Sequence, residues 1–139
     1  MKLYHGSPKR LELLKPQKAT GMDDFQNQTA VFLTDDFTYA ALYAIGKHLK
    51  NMTAFGVSAK ISNKVKNYTL KIMGNHKLSD GYVYEVETDD FTKSGMQYAC
   101  PHELIPLKEH IISVKNYEQY ILRVGPMSKE EFNKLEKMF

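Results

Sequence analysis

A single cysteine, Cys100, stands in 139 residues. It has no partner for an intramolecular disulfide, and one thiol cannot build a cysteine-rich zinc site. No apolar run approaches the ~18–20 residues that a membrane-spanning helix needs, so no membrane partner is expected. The opening Met1-Lys-Leu-Tyr-His-Gly-Ser-Pro8 has neither the apolar stretch nor the small-residue cleavage site of a secretory signal. Together these absences predict a reducing, cytoplasmic compartment. The common catalytic and cofactor signatures are missing too: no GxGxxG, Walker A loop, GxSxG, HExxH or CxxC occurs. His102 and His110 lie eight residues apart with no second ligand pair nearby, so no metal site is expected.

What is present is the composition of a soluble globular protein, with 42% hydrophobic and 25% charged residues. The length suits one domain, and no linker or composition shift divides it, so residues 1–139 read as a single unit. Nineteen basic residues against sixteen acidic give a net charge of +3, too little to prove a nucleic-acid partner. Lysines concentrate between Lys47 and Lys77, with no acidic residue before Asp80. That stretch is either a solvated face or a steering patch for a phosphate-bearing ligand. Asn-x-Ser/Thr triplets at Asn27, Asn51 and Asn67 are chance matches without a secretion signal.

The pattern predicts an α+β domain without strict βαβ alternation. Residues 2–4 form a short strand ending at the turn-forming His5-Gly6-Ser7-Pro8, and 11–14 a second strand stopped by Pro16. The polar segment 17–29 is a long loop of the kind that binds ligands. Ala30–Leu33 is a strand, and Thr34-Asp35-Asp36 caps a helix over roughly 36–50, with Phe37, Ala40, Ala41, Ala44 and Ile45 on one face. Strands are expected around Ala59–Ile61, Tyr68–Ile72, 81–88, from Tyr98 to Cys100, and over Leu104–Val114 with a break at Pro106. The i, i+3, i+4, i+7 spacing of Tyr117, Tyr120, Ile121 and Val124 predicts a short helix. Ser128-Lys-Glu-Glu131 caps a last helix with Phe132, Leu135 and Phe139 as its stripe. The pentapeptide Thr-Asp-Asp-Phe-Thr occurs at 34–38 and 88–92, which reads as two similar strand-exit turns and not as a repeat.

Two stretches carry candidate chemistry. In Leu3-Tyr4-His5-Gly6-Ser7, the histidine is either a strand-end residue satisfied by backbone or a ligand contact beside a glycine that lets a ligand come close. In Val31–Tyr43, a strand runs into a helix bearing tyrosines. Phe32 and Tyr43 there are either core, or Tyr43 and the small Ala40 three positions before it form a slot for a flat ring.

Taken together, these residues resemble the poly(ADP-ribose) polymerase type of ADP-ribosyltransferase, the H-Y-E clan. Leu3–Ser7 looks like its His-Gly-Ser motif, and residues 31–43 look like its second motif. Gly95-Met96-Gln97-Tyr98 stands, by position, where the third motif opens a late strand on an acidic residue. The motifs span residues 3–114. The resemblance implies two small packed β-sheets with flanking helices forming a cleft for NAD, which serves as substrate. It implies that His5 bonds a ribose hydroxyl of the adenosine part and that Gly6 pairs with the nicotinamide carboxamide through its backbone. Ser7 completes the first motif, Phe32 packs against the nicotinamide ribose, Tyr43 stacks on the nicotinamide, and Ala40 leaves room for it. The chain departs from the pattern at three positions. Phe32 lacks the hydroxyl of the usual tyrosine, Ala40 replaces a serine, and Gln97 replaces the catalytic glutamate. Gln97 and the nearby acidic Glu103 are thus the catalytic candidates, although Glu103 is off the motif position. The expected activity is mono-ADP-ribosyl transfer to a protein, a nucleic acid or a small molecule, with nicotinamide leaving. The alternative is a weak or inactive module that binds NAD, ADP-ribose or a nucleotide.

Overall fold

A computed structural model of the chain describes residues 1–18, 25, 27–47, 55–74, 76–125, 130, 131 and 134. Its strands are β1 (Lys2–Ser7), β2 (Gln17–Lys18), β3 (Thr29–Thr34), β4 (Phe55–Ser62), β5 (Val65–Met73), β6 (Gly81–Glu87), β7 (Thr92–Ser94), β8 (Gln97–Cys100), β9 (Lys108–Ile112) and β10 (Ile121–Val124). One helix, α1 (Phe37–Gly46), follows β3, and a 3-10 helix (Val114–Tyr120) precedes β10. The strands form two sheets. The larger has the order β7-β8-β3-β1-β6-β9, with β2 joined to β3, and the smaller has the order β10-β5-β4. The expected α+β class with two sheets is what the chain adopts.

Helix α1 lies between the sheets, and its sequence explains why. Ala40, Ala41, Leu42, Ala44, Ile45 and Gly46 are all buried, and a helix that is apolar on nearly every side must be covered on nearly every side. It packs with Val83 and Ile112 of the large sheet and with Val57, Leu70 and Ile72 of the small one in a single core. A second core occupies the opposite face of the large sheet. Leu3, Val31, Leu33, Tyr84, Val86, Tyr98 and Cys100 meet Leu14 and Leu104 there, which bridge one another outside the strands.

The helix approaches the large sheet main chain to main chain. A Cβ added at Gly6 would stand 2.2 Å from the Ala40 carbonyl oxygen and 3.0 Å from the Ala44 nitrogen. At Gly81, one strand over, it would stand 2.7 Å from the Ser7 oxygen and 2.9 Å from that of Ala44. Both glycines are therefore required by close approach. The N-terminus of α1 is anchored to the small sheet through Asp36. Its carboxylate caps the helix by accepting from the Tyr39 amide (3.0 Å) and also accepts from Lys66 Nζ (2.6 Å) and Tyr68 OH (2.6 Å), both on β5.

Several expectations change. β1 continues through His5, Gly6 and Ser7 because β6 pairs with it along its whole length, so these residues are strand and not turn. In 11–14 only Leu14 bridges another segment. α1 stops at Gly46, with Lys47 as its extended C-cap, and 48–50 lie outside the described residues. The extended reading of 104–114 narrows to β9, which starts two residues after Pro106. Tyr117 and Tyr120 do fall in a helical segment, but Ile121–Val124 instead pair in parallel with Leu70–Met73. The free edge of β5 offers backbone partners that a solvent-facing helical turn lacks. Of the last helix, Glu130, Glu131 and Lys134 are helical, whereas Ser128, Phe132, Leu135 and Phe139 lie outside the described residues. The two pentapeptides do make matching turns: Thr34 Oγ1 accepts from the Asp36 amide and Thr88 Oγ1 from the Asp90 amide, each at 3.2 Å.

Gly6→Ala forces a methyl group into the Ala40 carbonyl, which is backbone and cannot rotate away. We expect a loss of about 1–3 kcal/mol, read from the denaturant midpoint. An unchanged midpoint would mean that α1 does not rest on β1 as described.

Candidate functional site

The site is built from a flaw in the sheet. β1 and β6 pair at six consecutive positions, but β1 and β3 pair only at Tyr4↔Thr34. The Thr88 amide donates to the Met1 carbonyl, which turns the odd-numbered residues of β1 toward β6. Alternation then turns the main-chain N–H and C=O of Lys2, Tyr4 and Gly6 toward β3. The next partner along β3 would be Phe32, and its carbonyl is already taken. His5 Nδ1 lies 2.7 Å from Phe32 O. Since a carbonyl only accepts, Nδ1 carries the proton and donates. The imidazole thus bonds the carbonyl that stands across from Gly6 in this register, and among the described residues β1 and β3 have no paired position beyond Tyr4↔Thr34.

The electrostatics here favour a neutral imidazole. His5 is half-buried, and burial first, then the charge of Lys47, hold its pKa below the ordinary histidine value despite the bond to Phe32. With Nδ1–H committed to Phe32, Nε2 bears a lone pair that can accept a hydrogen bond. Gly6 adds one donor and one acceptor from the main chain. A dipolar group such as a carboxamide matches that pair.

The strands that carry the three sequence motifs are consecutive neighbours, β8-β3-β1. Cα partners across them are Gln97↔Thr34↔Tyr4, so Gln97 shares the sheet face of Thr34, Phe32 and Gly6, the face that α1 covers. The turn Gly95-Met96, with Gly95 at φ 59°, closes the β7–β8 hairpin at Ser94↔Gln97 and places Gln97 first on β8. Gln97 is half-buried, and its carboxamide has no hydrogen-bond partner among the described residues.

Other candidates fall elsewhere. Glu103 is exposed and lies past the opposite end of β8 from Gln97, in the loop that leads to Leu104, so the strand's own length separates the two. Ser7 is buried and spends its hydroxyl on a local turn: Oγ donates to the Lys9 carbonyl (2.7 Å) and accepts from the Lys9 amide (3.2 Å). Ala40 is buried in the core instead of opening a ligand slot, and it is its backbone carbonyl that meets Gly6. Gly6 is likewise blocked on its α1 side, by the Ala40 carbonyl and the Ala44 amide. The Tyr43 ring packs edge-on against Phe55 at 5.2 Å, and Phe55 stacks on His76. Phe32 is half-buried with its ring edge-on to Phe25 at 6.1 Å. That contact brings the end of the 17–29 segment onto β3, while 19–24 and 26 lie outside the described residues.

Lys47, read from the sequence as the first of the lysines in a solvated face or steering patch, is the half-buried C-cap of α1. No group of three or more His, Cys, Asp or Glu among the described residues is placed to hold a metal ion. His102 contacts Asp90 (3.0 Å) and His110 contacts Glu85 (3.1 Å), so the two histidines serve different pairs. Comparison with family models, curated proteins and solved structures gives no match.

The depressed pKa of His5 carries a pH signature. In the unfolded chain His5 protonates near 6.5, whereas the folded protein resists the proton. Its contribution is therefore complete above that pH and is lost as pH falls toward the lower folded value. His5→Gln keeps a donor for Phe32 O without a titrating group. We expect the fall in unfolding free energy between pH 7.5 and 5.5 to be shallower in His5→Gln than in the wild type. Equal slopes would show that His5 is not held neutral.

Proposed function

We propose that the chain binds NAD in the gap between β1 and β3 and transfers its ADP-ribosyl group with release of nicotinamide. The observation that carries this reading is the interrupted β1–β3 pairing at Gly6, propped by His5 on Phe32 O, with Gln97 on β8, the strand beyond β3. An in-plane carboxamide satisfies the Gly6 N–H and C=O as the missing ladder would have done. His5 Nε2 then accepts from a ribose hydroxyl, and the free Gln97 carboxamide bonds a hydroxyl of the nicotinamide ribose.

The chemistry is a substitution at the anomeric carbon of that ribose. Its bond to the nicotinamide nitrogen breaks, and the electron pair leaves with nicotinamide. An acceptor oxygen or nitrogen forms the new bond and gives up its proton. Positive charge builds on the sugar in between. Positioning is what this site supplies best. A carboxylate would also stabilise the charge, and the amide of Gln97 does so only weakly.

That weakness favours a second reading, a module that binds NAD or ADP-ribose and turns over slowly or not at all. The acceptor is a protein, a nucleic acid or a small molecule, and the site favours none of them.

NAD should raise the unfolding midpoint of the wild type, because a ligand bound only by the folded state stabilises it. Nicotinamide release should be slow and should rise at least ~10-fold in Gln97→Glu. Binding without release in either protein would establish the second reading. Absence of any thermal shift at millimolar NAD would remove both.

A further inference from the structure

Between Phe55 and Ser79 the chain carries five lysines and no carboxylate. Three of them, Lys60, Lys64 and Lys66, fall at the far end of the β4–β5 hairpin. β10 pairs only with Leu70–Met73, so from Val65 to Thr69 β5 has β4 alone beside it. The hairpin there is a two-stranded arm with both edges free among the described residues. Every residue from Lys60 to Asn67 is exposed, including the β-branched Ile61 (73%) and Val65 (60%). Its strands are joined by a two-residue turn, Asn63 (φ 51°) and Lys64 (φ 65°), whose left-handed backbone matches the twist of a hairpin. The register fixes the faces. Lys60↔Asn67 and Ser62↔Val65 lie on one face, and Ile61↔Lys66 lies on the other. The arm thus bears cations on both faces and in its turn. Lys66 also bonds Asp36 (2.6 Å), which ties the arm to the start of α1. The side chains of Ser62, Asn63 and Lys64 have no partner among the described residues.

We infer that this arm is a nucleic-acid interface, a two-stranded ribbon that enters the major groove of a DNA duplex. It stands apart from the reading of the β1–β3 gap and does not depend on it. Three cross-strand pairs lie beyond Ala59↔Tyr68, a reach of ~10 Å at the rise of a strand. The major groove is ~8.5 Å deep and ~12 Å wide, and it admits a two-stranded ribbon. Phosphates line both walls of a groove, so a ribbon inside it meets anions on both faces. Lys60 serves one wall and Lys66 the other, since its side chain is 39% exposed and its ammonium keeps two donors beyond the bond to Asp36. At the tip, the Ser62 hydroxyl and the Asn63 carboxamide are groups that pair with base edges. An anionic bilayer fits the arm less well. A membrane surface calls for one continuous apolar face, whereas Ile61 and Val65 lie on opposite faces. The net charge of +3 is mild for the whole chain, but an arm without carboxylates concentrates its field locally.

The probe is a fluorescein-labelled, mixed-sequence DNA duplex, titrated with the full chain and read by anisotropy across a series of salt concentrations. An RNA duplex of the same length and phosphatidylserine vesicles are parallel arms. The DNA duplex should bind, with an affinity that falls as salt rises. The Lys60→Gln/Lys64→Gln double variant should bind at least ~10-fold more weakly and lose about 2 from the slope of log K against log salt, one per phosphate contact. Lys115→Gln, on the 3-10 helix, should leave binding unchanged. A second readout needs no variant: in NMR titration of the wild type, the amides of 60–67 should shift on adding DNA while those of β1 hold still. DNA binding that is absent at low salt, or equal in the wild type and the double variant, overturns the proposal. RNA duplex bound as tightly as DNA overturns the groove, because the A-form major groove is too narrow to admit the arm. Vesicles bound through Lys60 and Lys64 without DNA binding replace the duplex with a membrane and overturn it as well.

Discussion

The contact on which the rest of this structure depends is the seating of α1 on β1 and β6 at Gly6 and Gly81. Two missing side chains let a helix backbone rest directly on a strand backbone. The helix then spans the space between the sheets and completes the core with both. Its two ends acquire separate tasks. Asp36 at the start ties it to β5, and Lys47 at the finish caps it by donating its amide to the Tyr43 carbonyl. Had Gly6 carried a methyl group, the helix would have to stand off from the sheet.

The carboxylate of Asp36 shows how the two sheets communicate electrostatically. Burial alone would raise its pKa, but the Lys66 ammonium, the Tyr68 hydroxyl and the Tyr39 amide together hold it below the ordinary carboxylate value. Tyr68 in turn resists ionisation, being pushed well above its usual range by burial and by the same carboxylate. One side chain thus serves as helix cap and inter-sheet clasp. Three donors on one carboxylate outweigh its desolvation because each is a charge-assisted bond in a low-dielectric setting.

Much of this was legible in the sequence, for identifiable reasons. The alternation of Tyr82, Tyr84 and Val86 and the helical spacing of Ala40, Ala41, Ala44 and Ile45 are local signals, and the elements they imply are present. The class of fold follows from their order. What the sequence could not reveal were effects of tertiary pairing. His5-Gly6-Ser7 has turn chemistry but is held as strand by three partners on β6, Tyr84, Val83 and Tyr82. Ile121 and Val124 have helical spacing but are drawn onto the edge of β5. His5 and Gly6 on β1 and Gln97 on β8 are separated by β3. The role of Gly6 is divided, since its open side belongs to α1 and only its main chain faces the gap. Ser7 and Ala40 are occupied in holding the fold.

The central claim is that the Gly6 main chain is withheld from the sheet and reserved for a ligand. Amide-resolved hydrogen exchange and NMR titration with NAD test it most directly. The Gly6 amide should exchange faster in the free protein than those of Leu3 and His5, whose N–H groups face β6. On NAD addition it should shift and become protected. A Gly6 amide as protected as its neighbours without ligand, and unmoved by NAD, would contradict the account.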